Sequence, residues 1–375
     1  MLPSGQPSVA IDVAPLLGVR TGIGYFCAEL LRAVAAAGTD VAAFSVSWSG
    51  RDELAEAVPG GVRVVRRPMA SRPMHMLWRR FDRPSIRWWT GPVDVVHGTN
   101  FLVPPSGRGA AIMTVHDATP WTHASEVTDM VRQYPAVVER ALGRGAHIHT
   151  VSQFVAAELI DILGVNPDRV HVVRSGVPDV GPADPADGRR LVAAASYVLA
   201  LGSIERRKNI PALVEAFDEF ASQVPDVVLA IAGPDSFDSP RLDDAIARAA
   251  SSSRIRRLRN VSDPERNALL RGAVAFAYPT LYEGFGFPPL EAMSVGVPVV
   301  ISPAGAPVEM CGDAALVADP DDSAAFAAAL ARVVVDDELR SELIDKGRER
   351  AGMFNWERAG TEMVDLYTRL ATRDR

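Results

Sequence analysis

Residues 278–293 read Tyr278-Pro279-Thr280-Leu281-Tyr282-Glu283-Gly284-Phe285-Gly286-Phe287-Pro288-Pro289-Leu290-Glu291-Ala292-Met293. The apolar run 274–278 leading into them has the composition of a buried strand. Gly284 and Gly286 permit a tight loop, and Pro288-Pro289 suits the first turn of a helix, where a missing N–H costs nothing. This is one strand-loop-helix unit, with Glu291 expected in the first helical turn. The free N–H groups and dipole of such a helix start suit a phosphate. Glu283 and Glu291 can accept hydrogen bonds from sugar and ribose hydroxyls. Two carboxylates would repel a pyrophosphate, so this reading requires positive charge from elsewhere in the chain.

The same unit recurs on both sides. Short β-rich runs at 9–15, 41–46, 93–97, 110–116 and 147–152 alternate with helical patterns, and a second series follows at 197–202, 227–232, 255–261, 274–278 and 297–301. Alternation of this kind predicts parallel α/β units. The Pro/Gly/Asp-rich stretch 178–188 interrupts it and is the linker candidate and hinge. The fold class is thus α/β, with two doubly wound Rossmann-like domains, 1–180 and 188–356, expected to face each other across a cleft. A last helix within 357–375 is placed against the first domain. Ligands of open α/β sheets lie beyond the carboxyl ends of the strands, and most candidate residues follow strands.

Composition narrows the function. A chain of 375 residues with 48% hydrophobic content is long enough for two cores and excludes general disorder. A formal charge of −7 and a pI near 5.6 argue against a nucleic-acid binder. Cys27 and Cys311 are too few and too far apart for a metal cluster or a disulfide framework, which points to a reducing cytoplasm. With no secretory leader pattern and no bilayer-length apolar run, a soluble protein is expected, cytoplasmic or at the inner membrane surface. In segment 72–89, Arg72, Arg79, Arg80, Arg83 and Arg87 mingle with Trp78, Phe81, Trp88 and Trp89. That mixture suits lipid headgroups or an acceptor, and equally a helix with a buried aromatic face and a solvated basic one.

The required positive charge stands at Gly202-Ser203-Ile204-Glu205-Arg206-Arg207-Lys208-Asn209, between a strand and a helix. An Arg fork grips two phosphate oxygens, and Lys supplies a compact charge to a leaving diphosphate. In the first domain, Gly22-Ile23-Gly24 is half of a dinucleotide fingerprint. Cys27 occupies the place of the third small residue, and no acidic residue ends the second strand, so a nicotinamide site is not expected. Gly22 and Gly24 either let backbone approach a ligand or simply make the turn. His116, joined to Asp117, follows a strand and is a candidate for hydrogen bonding a sugar hydroxyl. His97 reads as loop-stabilising, and His147 and His149 as structural. No zinc, P-loop or nucleophile-elbow pattern occurs, and no metal ligands are assigned.

Taken in order, Gly22-Ile-Gly24, His116-Asp117, Thr150-Val-Ser152, Ser175-Gly-Val177, Gly202 through Asn209, Glu283 through Glu291 and Phe354-Asn-Trp356 resemble the bacterial GT-B glycosyltransferases of family four, a retaining group with many mannosyltransferases. The resemblance spans nearly the whole chain. It implies that Glu283 contacts the donor sugar, Glu291 the ribose, and Arg207 with Lys208 the diphosphate, Arg206 being a weaker candidate. His116 matches the family histidine near the transferred sugar. Backbone amides at Gly284, Phe285, Gly286 and Phe287 would assist, and Asn260 and Val261 fall where the nucleobase sits. The chain departs from the family pattern at Ser203, where many members carry Arg, and at Val308-Glu309, where Pro-Glu is usual. The resemblance implies no tightly bound cofactor. GDP-mannose is the expected nucleotide-sugar co-substrate, UDP-glucose and dTDP-rhamnose are its alternatives, and a saccharide is the acceptor. An inactive saccharide-binding subunit is the reading from another class.

Overall fold

The structure is a computed structural model describing residues 6–18, 22–48 and 51–373. It divides into two compact units, Met1–Gly176 with Phe354–Arg375, and Val177–Met353. In the first unit the strands are β1 (Ser8–Asp12), β2 (Asp40–Phe44), β3 (Arg63–Val64), β4 (Val95–Gly98), β5 (Ala110–Thr114), β6 (His147–Thr150) and β7 (Val170–Val172). They form one sheet in the order β3-β2-β1-β4-β5-β6-β7, and every pairing is parallel. The second unit has β8 (Tyr197–Leu201), β9 (Val228–Ala232), β10 (Ile255–Leu258), β11 (Ala275–Tyr278), β12 (Val299–Ile301) and β13 (Ala315–Val317). Its order is β10-β9-β8-β11-β12-β13, also parallel throughout.

Helices cover both faces of such sheets, so their central strands read as continuous apolar runs. Every residue of β8 and β9 is buried. Helix Ile210–Gln223 turns Leu213, Phe217 and Phe220 onto Leu229 and Ile231, and helix Ser323–Val335 adds Phe326 and Leu330 to the same core. In each unit the strand order reverses beside the first strand, between β1 and β4 and between β8 and β11. These are the switch points where loops diverge and leave room for a ligand.

The strands missing from the sequence reading, β3, β7 and β13, have two or three residues each at sheet edges, too short to show a pattern. The linker expected at 178–188 is part of the second unit. Arg271 donates to the carbonyls of Val180 (2.7 Å) and Gly181 (3.2 Å), and helix Pro185–Val192 begins inside the segment with Asp184 as its cap. Asp followed by Pro marks a helix start as readily as a linker. The final helix, Trp356–Arg373, packs in the first unit on helix Gly22–Ala36. Gly360 lets the two backbones meet, since a Cβ there would sit 2.7 Å from the main-chain carbon of Ala33.

His97 lies within β4 and stabilises the core rather than a loop. A buried polar chain runs from Tyr367 through His97 (2.6 Å), Thr114 (2.8 Å) and His149 (2.9 Å) to the carbonyl of Val173 (3.1 Å). The terminal carbonyl can only accept, so each donor is determined in turn. His149 Nε2–H donates to Val173, Thr114 O–H to His149 Nδ1, His97 Nε2–H to Thr114, and Tyr367 O–H to His97 Nδ1. Both rings are neutral; burial holds His97 well below the usual histidine range and takes His149 down to about 3.

Candidate active site

The second unit's switch point collects the charged candidates. β8 ends at Leu201, and Gly202, at φ +147°, turns the chain beside Gly233, where a Cβ would lie 2.1 Å from the Gly202 carbonyl oxygen. A single turn, Arg206–Lys208, follows, and Asn209 in the left-handed region leads into helix Ile210–Gln223. The loop after β11 clamps this turn, because Leu281 N–H and Thr280 Oγ1 both donate to the Arg207 carbonyl, at 2.7 and 2.8 Å. Arg207, Lys208 and Glu283 are thereby brought together from positions some 75 residues apart in sequence.

Three donors converge on one oxygen, Glu283 Oε2: Arg207 at 2.8 Å, the Tyr278 hydroxyl at 2.8 Å, and Lys208 Nζ. Lys208 also donates to the Tyr278 hydroxyl (2.7 Å), and its ammonium lies 4.9 Å from that ring's centre. Burial pushes Glu283 up, but the charges of Arg207 and Lys208 and the hydrogen bonds from Lys208 and Tyr278 win and hold it at about 2. Glu283 is therefore ionised at any working pH. Burial lowers Lys208, with Glu283 opposing, and burial raises Tyr278 well above the usual phenol range. Behind Arg207, Glu205 accepts from its Nε (2.8 Å) and from Ser203 Oγ (2.6 Å). Arg206 is exposed.

Gly284, Phe285 and Gly286 are buried in the loop before helix Phe287–Ser294, whose N-cap Gly286 sits at φ +105° and offers no side-chain cap. Pro288 and Pro289 carry no N–H, so the donors at this helix start are the main-chain amides of Gly286 and Phe287, with no side-chain acceptor at the cap, which suits an anion. Glu291 is the fifth helical residue, in the second turn rather than the first, because the helix starts at Phe287 and both prolines lie inside it. It is buried and paired with Arg266 from helix Asp263–Gly272, so its carboxylate is already neutralised; burial raises it and Arg266 opposes. Asn260, exposed, and Val261, half-buried, occupy the loop between β10 and that same helix.

In the first unit, Gly22 opens helix Gly22–Ala36 with open space around it, and Gly24 is buried. His116 follows β5 and donates from Nε2 to the Thr99 carbonyl (2.9 Å), with its ring edge-on to Phe26 at 4.8 Å. Burial lowers its basicity, so the neutral ring keeps Nδ1 as an acceptor for a hydroxyl. Thr99 Oγ1 in turn donates to the carbonyl of Asp12 (2.7 Å), the last residue of β1. Burial raises the Asp12 carboxyl to about 7, opposed by the hydrogen bond from Ala14 N–H (3.0 Å).

Sequence reasoning missed Tyr278, Glu205, Arg266, Asp12 and Gly305. Tyr278 was visible as the last residue of a strand, and Asp12 as the acid closing Val-Ala-Ile-Asp. Gly305, at φ +71°, lies against Glu283, whose carbonyl oxygen would be 2.8 Å from an added Cβ. Its signal was the turn sequence Pro303-Ala-Gly305-Ala-Pro307.

Residues 191–350 match the family described as "Glycosyl transferases group 1", and residues 20–179 match "Glycosyltransferase Family 4". The chain is 33% identical over 284 residues to O-antigen chain mannosyltransferase B of Escherichia coli, covering 73% of this chain and 74% of the relative. It is 30% identical over 305 residues to the MMP alpha-(1->4)-mannosyltransferase of Mycolicibacterium hassiacum, covering 76% and 72%. Among solved structures, a sucrose-phosphate synthase from Thermosynechococcus elongatus superimposes with a TM-score of 0.74 at 20% identity, over 98% of this chain and 100% of that one. The Anabaena protein HepE, solved in complex with UDP-glucose, does so at 0.71 and 16% identity, over 96% and 100%. Two parallel Rossmann-like sheets with charged loops at a switch point define the molecule as a GT-B glycosyltransferase. The chain belongs to glycosyltransferase family four, and the protein is a hexosyltransferase.

Proposed function

We propose that the protein transfers α-mannose from GDP-mannose to a hydroxyl of an oligosaccharide, polysaccharide or glycolipid acceptor, with retention at the anomeric carbon and without a metal ion. The observation that carries this reading is the convergence of Arg207 and Lys208 on Glu283 at the second unit's switch point. A diphosphate has two cations to meet there and a helix start with an uncapped N-terminus. Glu283, ionised and rigidly held, supports positive charge growing on the sugar ring. Gly284, Phe285, Gly286 and Phe287 supply main-chain amides, Glu291 with Arg266 the ribose contacts, and Asn260 and Val261 border the base. Gly22, Gly24 and His116 serve the saccharide in the first unit.

In the step itself, the acceptor oxygen forms its bond to the anomeric carbon as the bond from that carbon to the phosphate oxygen breaks. The bonding pair leaves with GDP, and the acceptor proton passes to the departing phosphate oxygen. Arg207 and Lys208 stabilise the charge that develops on the diphosphate. Mannose is favoured by the names of the two mannosyltransferases at 30% identity and above. Glucose from UDP-glucose is the second reading, favoured by the ligand of the HepE structure.

A thermal-shift screen of GDP-mannose, UDP-glucose and dTDP-rhamnose tests the donor, since the preferred ligand stabilises most by mass action. The largest shift is expected with GDP-mannose, and a shift with UDP-glucose alone rejects mannose. Proton NMR of the first-formed product reads the anomeric configuration, and a β-linked product rejects retention. Binding of the donor with no transfer to any saccharide would favour an inactive subunit.

A further inference from the structure

Residues 63–90 carry eight arginines against the single acidic residue Asp82, a net +7 in a chain whose formal charge is −7. Asp82 is taken up by Arg140 (3.0 Å) and Arg144 (3.7 Å), from outside the segment. Among the described residues none of the eight arginines forms an ion pair. Arg63 and Arg67 instead donate to main-chain carbonyls of Thr90 (3.1 Å) and Trp88 (2.7 Å), which lace 63–67 to 87–91. Arg63, Arg66, Arg67 and Arg87 line one groove with Trp89.

The segment is anchored, so its exposed groups are displayed on a defined scaffold. Met74 and Trp78 are buried from helix Ser71–Trp78, Trp78 Nε1 donates to the Pro84 carbonyl (2.9 Å), and Arg140 Nε donates to the Trp78 carbonyl (3.0 Å). Against that scaffold, Met76 (68%), Phe81 (58%) and Trp88 (74%) stand out in solvent, with Leu77 beside them at 40%. Large apolar side chains held outward among arginines without ion pairs are unfavourable in water and favoured at a lipid interface, where the rings and aliphatic groups reach the acyl boundary and the guanidinium groups meet phosphates.

We propose that this face of the first unit docks on an anionic lipid bilayer, with Met76, Leu77, Phe81 and Trp88 entering the interface and the flanking arginines holding headgroup phosphates. A single-stranded nucleic acid is the competing occupant for an arginine-aromatic surface. Met76 and Leu77 offer no plane on which a base stacks, and the remainder of the chain is strongly acidic, which opposes a long polyanion. Among the described residues no helix is long and apolar enough to cross a membrane, so this contact is peripheral.

The test needs neither donor nor acceptor and so stands apart from the assignment of the transfer reaction. The full chain is sedimented with phosphatidylcholine vesicles, with and without phosphatidylglycerol. Binding is expected only with phosphatidylglycerol and should weaken as salt rises. The double variants Arg80→Glu/Arg83→Glu and Phe81→Ser/Trp88→Ser should each lower the bound fraction at least about tenfold, with thermal melts unchanged because all four side chains are exposed. As a second measurement on the unaltered protein, brominated phosphatidylglycerol should quench tryptophan emission, and Trp88→Phe should remove most of the quenching. Equal binding to neutral vesicles, binding unchanged in both double variants, absent quenching, or tighter binding to single-stranded RNA than to the anionic vesicles overturns the proposal.

Discussion

Lys208 Nζ donates to the Tyr278 hydroxyl at 2.7 Å, and both groups then donate to the same oxygen of Glu283. The three form a closed triangle in which a phenol holds the cation and the anion in register. Arg207 adds a second cation from outside the triangle.

Tyr278→Phe keeps the buried ring and removes only the hydroxyl. Lys208 then loses an acceptor and Glu283 a donor, interactions worth about 1.5–3 kcal/mol when one partner is charged. We expect kcat/KM for the nucleotide sugar to fall about 10- to 100-fold with an unchanged circular dichroism spectrum. Steady-state kinetics returning native values would show that the hydroxyl has no part in placing the charged groups.

Lys208→Ala and Glu283→Ala each leave a buried charge with fewer partners. Breaking such a pair from one side costs about 3–5 kcal/mol when both groups are fully buried, and the partial exposure of Glu283 reduces that figure. Both variants should melt lower than the parent and lose transfer activity. Glu205→Gln, which weakens only the support behind Arg207, should raise KM for the donor with a smaller effect on melting.

Acid stability separates Glu283 from the histidines. The folded state holds Glu283 at about 2, against an ordinary value of 4.5, so its contribution is present above pH 4.5 and is lost as pH falls through about 2. His149 is held at about 3 against 6.5, so the unfolded chain takes up a proton first and stability declines as pH drops from 6.5 towards 3. The slope is about 1.4 kcal/mol per pH unit for each such histidine. Urea titrations across pH 3–7 should show this decline, and His149→Gln should flatten it. A wild-type profile already flat over that range would contradict the neutral relay from Tyr367 to Val173.

Asp12 has the opposite sign. Its carboxyl is raised to about 7 by burial, so the folded state keeps a proton that the unfolded chain gives up above 3.8, and stability is lost as pH rises from 3.8 through about 7. Asp12→Asn, neutral at every pH and still able to accept from Ala14 N–H, should therefore melt higher than the parent at pH 8, with the difference disappearing below pH 4. Differential scanning fluorimetry at the two pH values is sufficient; equal melting at pH 8 refutes the assignment.

Gly360 and Gly305 are tests of close approach. Gly360→Val pushes helix Trp356–Arg373 from helix Gly22–Ala36 and should cost about 1–3 kcal/mol by overpacking. Gly305→Ala meets the Glu283 main chain and must also hold φ +71°, so it should reduce activity more than a surface Gly→Ala change does. Melting and turnover measured together distinguish the two outcomes.

Alternating β-rich and helical runs, the Gly-x-Gly-x-Pro-Pro turn after Glu283 and the Arg-Arg-Lys cluster in the loop after β8 were enough, by themselves, to determine an α/β chain of two wound units with charged residues in the loops at strand ends. These are local patterns, and hydrophobic periodicity together with backbone freedom at glycine and proline encodes them within a few residues. Tertiary structure alone decided that Tyr278 closes the triangle with Lys208 and Glu283, that Glu291 faces Arg266, that residues 178–188 belong to the second unit, and that Tyr367 reaches His97 across 270 residues of chain. Each of these depends on which strands become neighbours. Parallel sheet order is set by long-range burial and crossover connections, so the partner of a buried polar group carries no signature near it in the sequence.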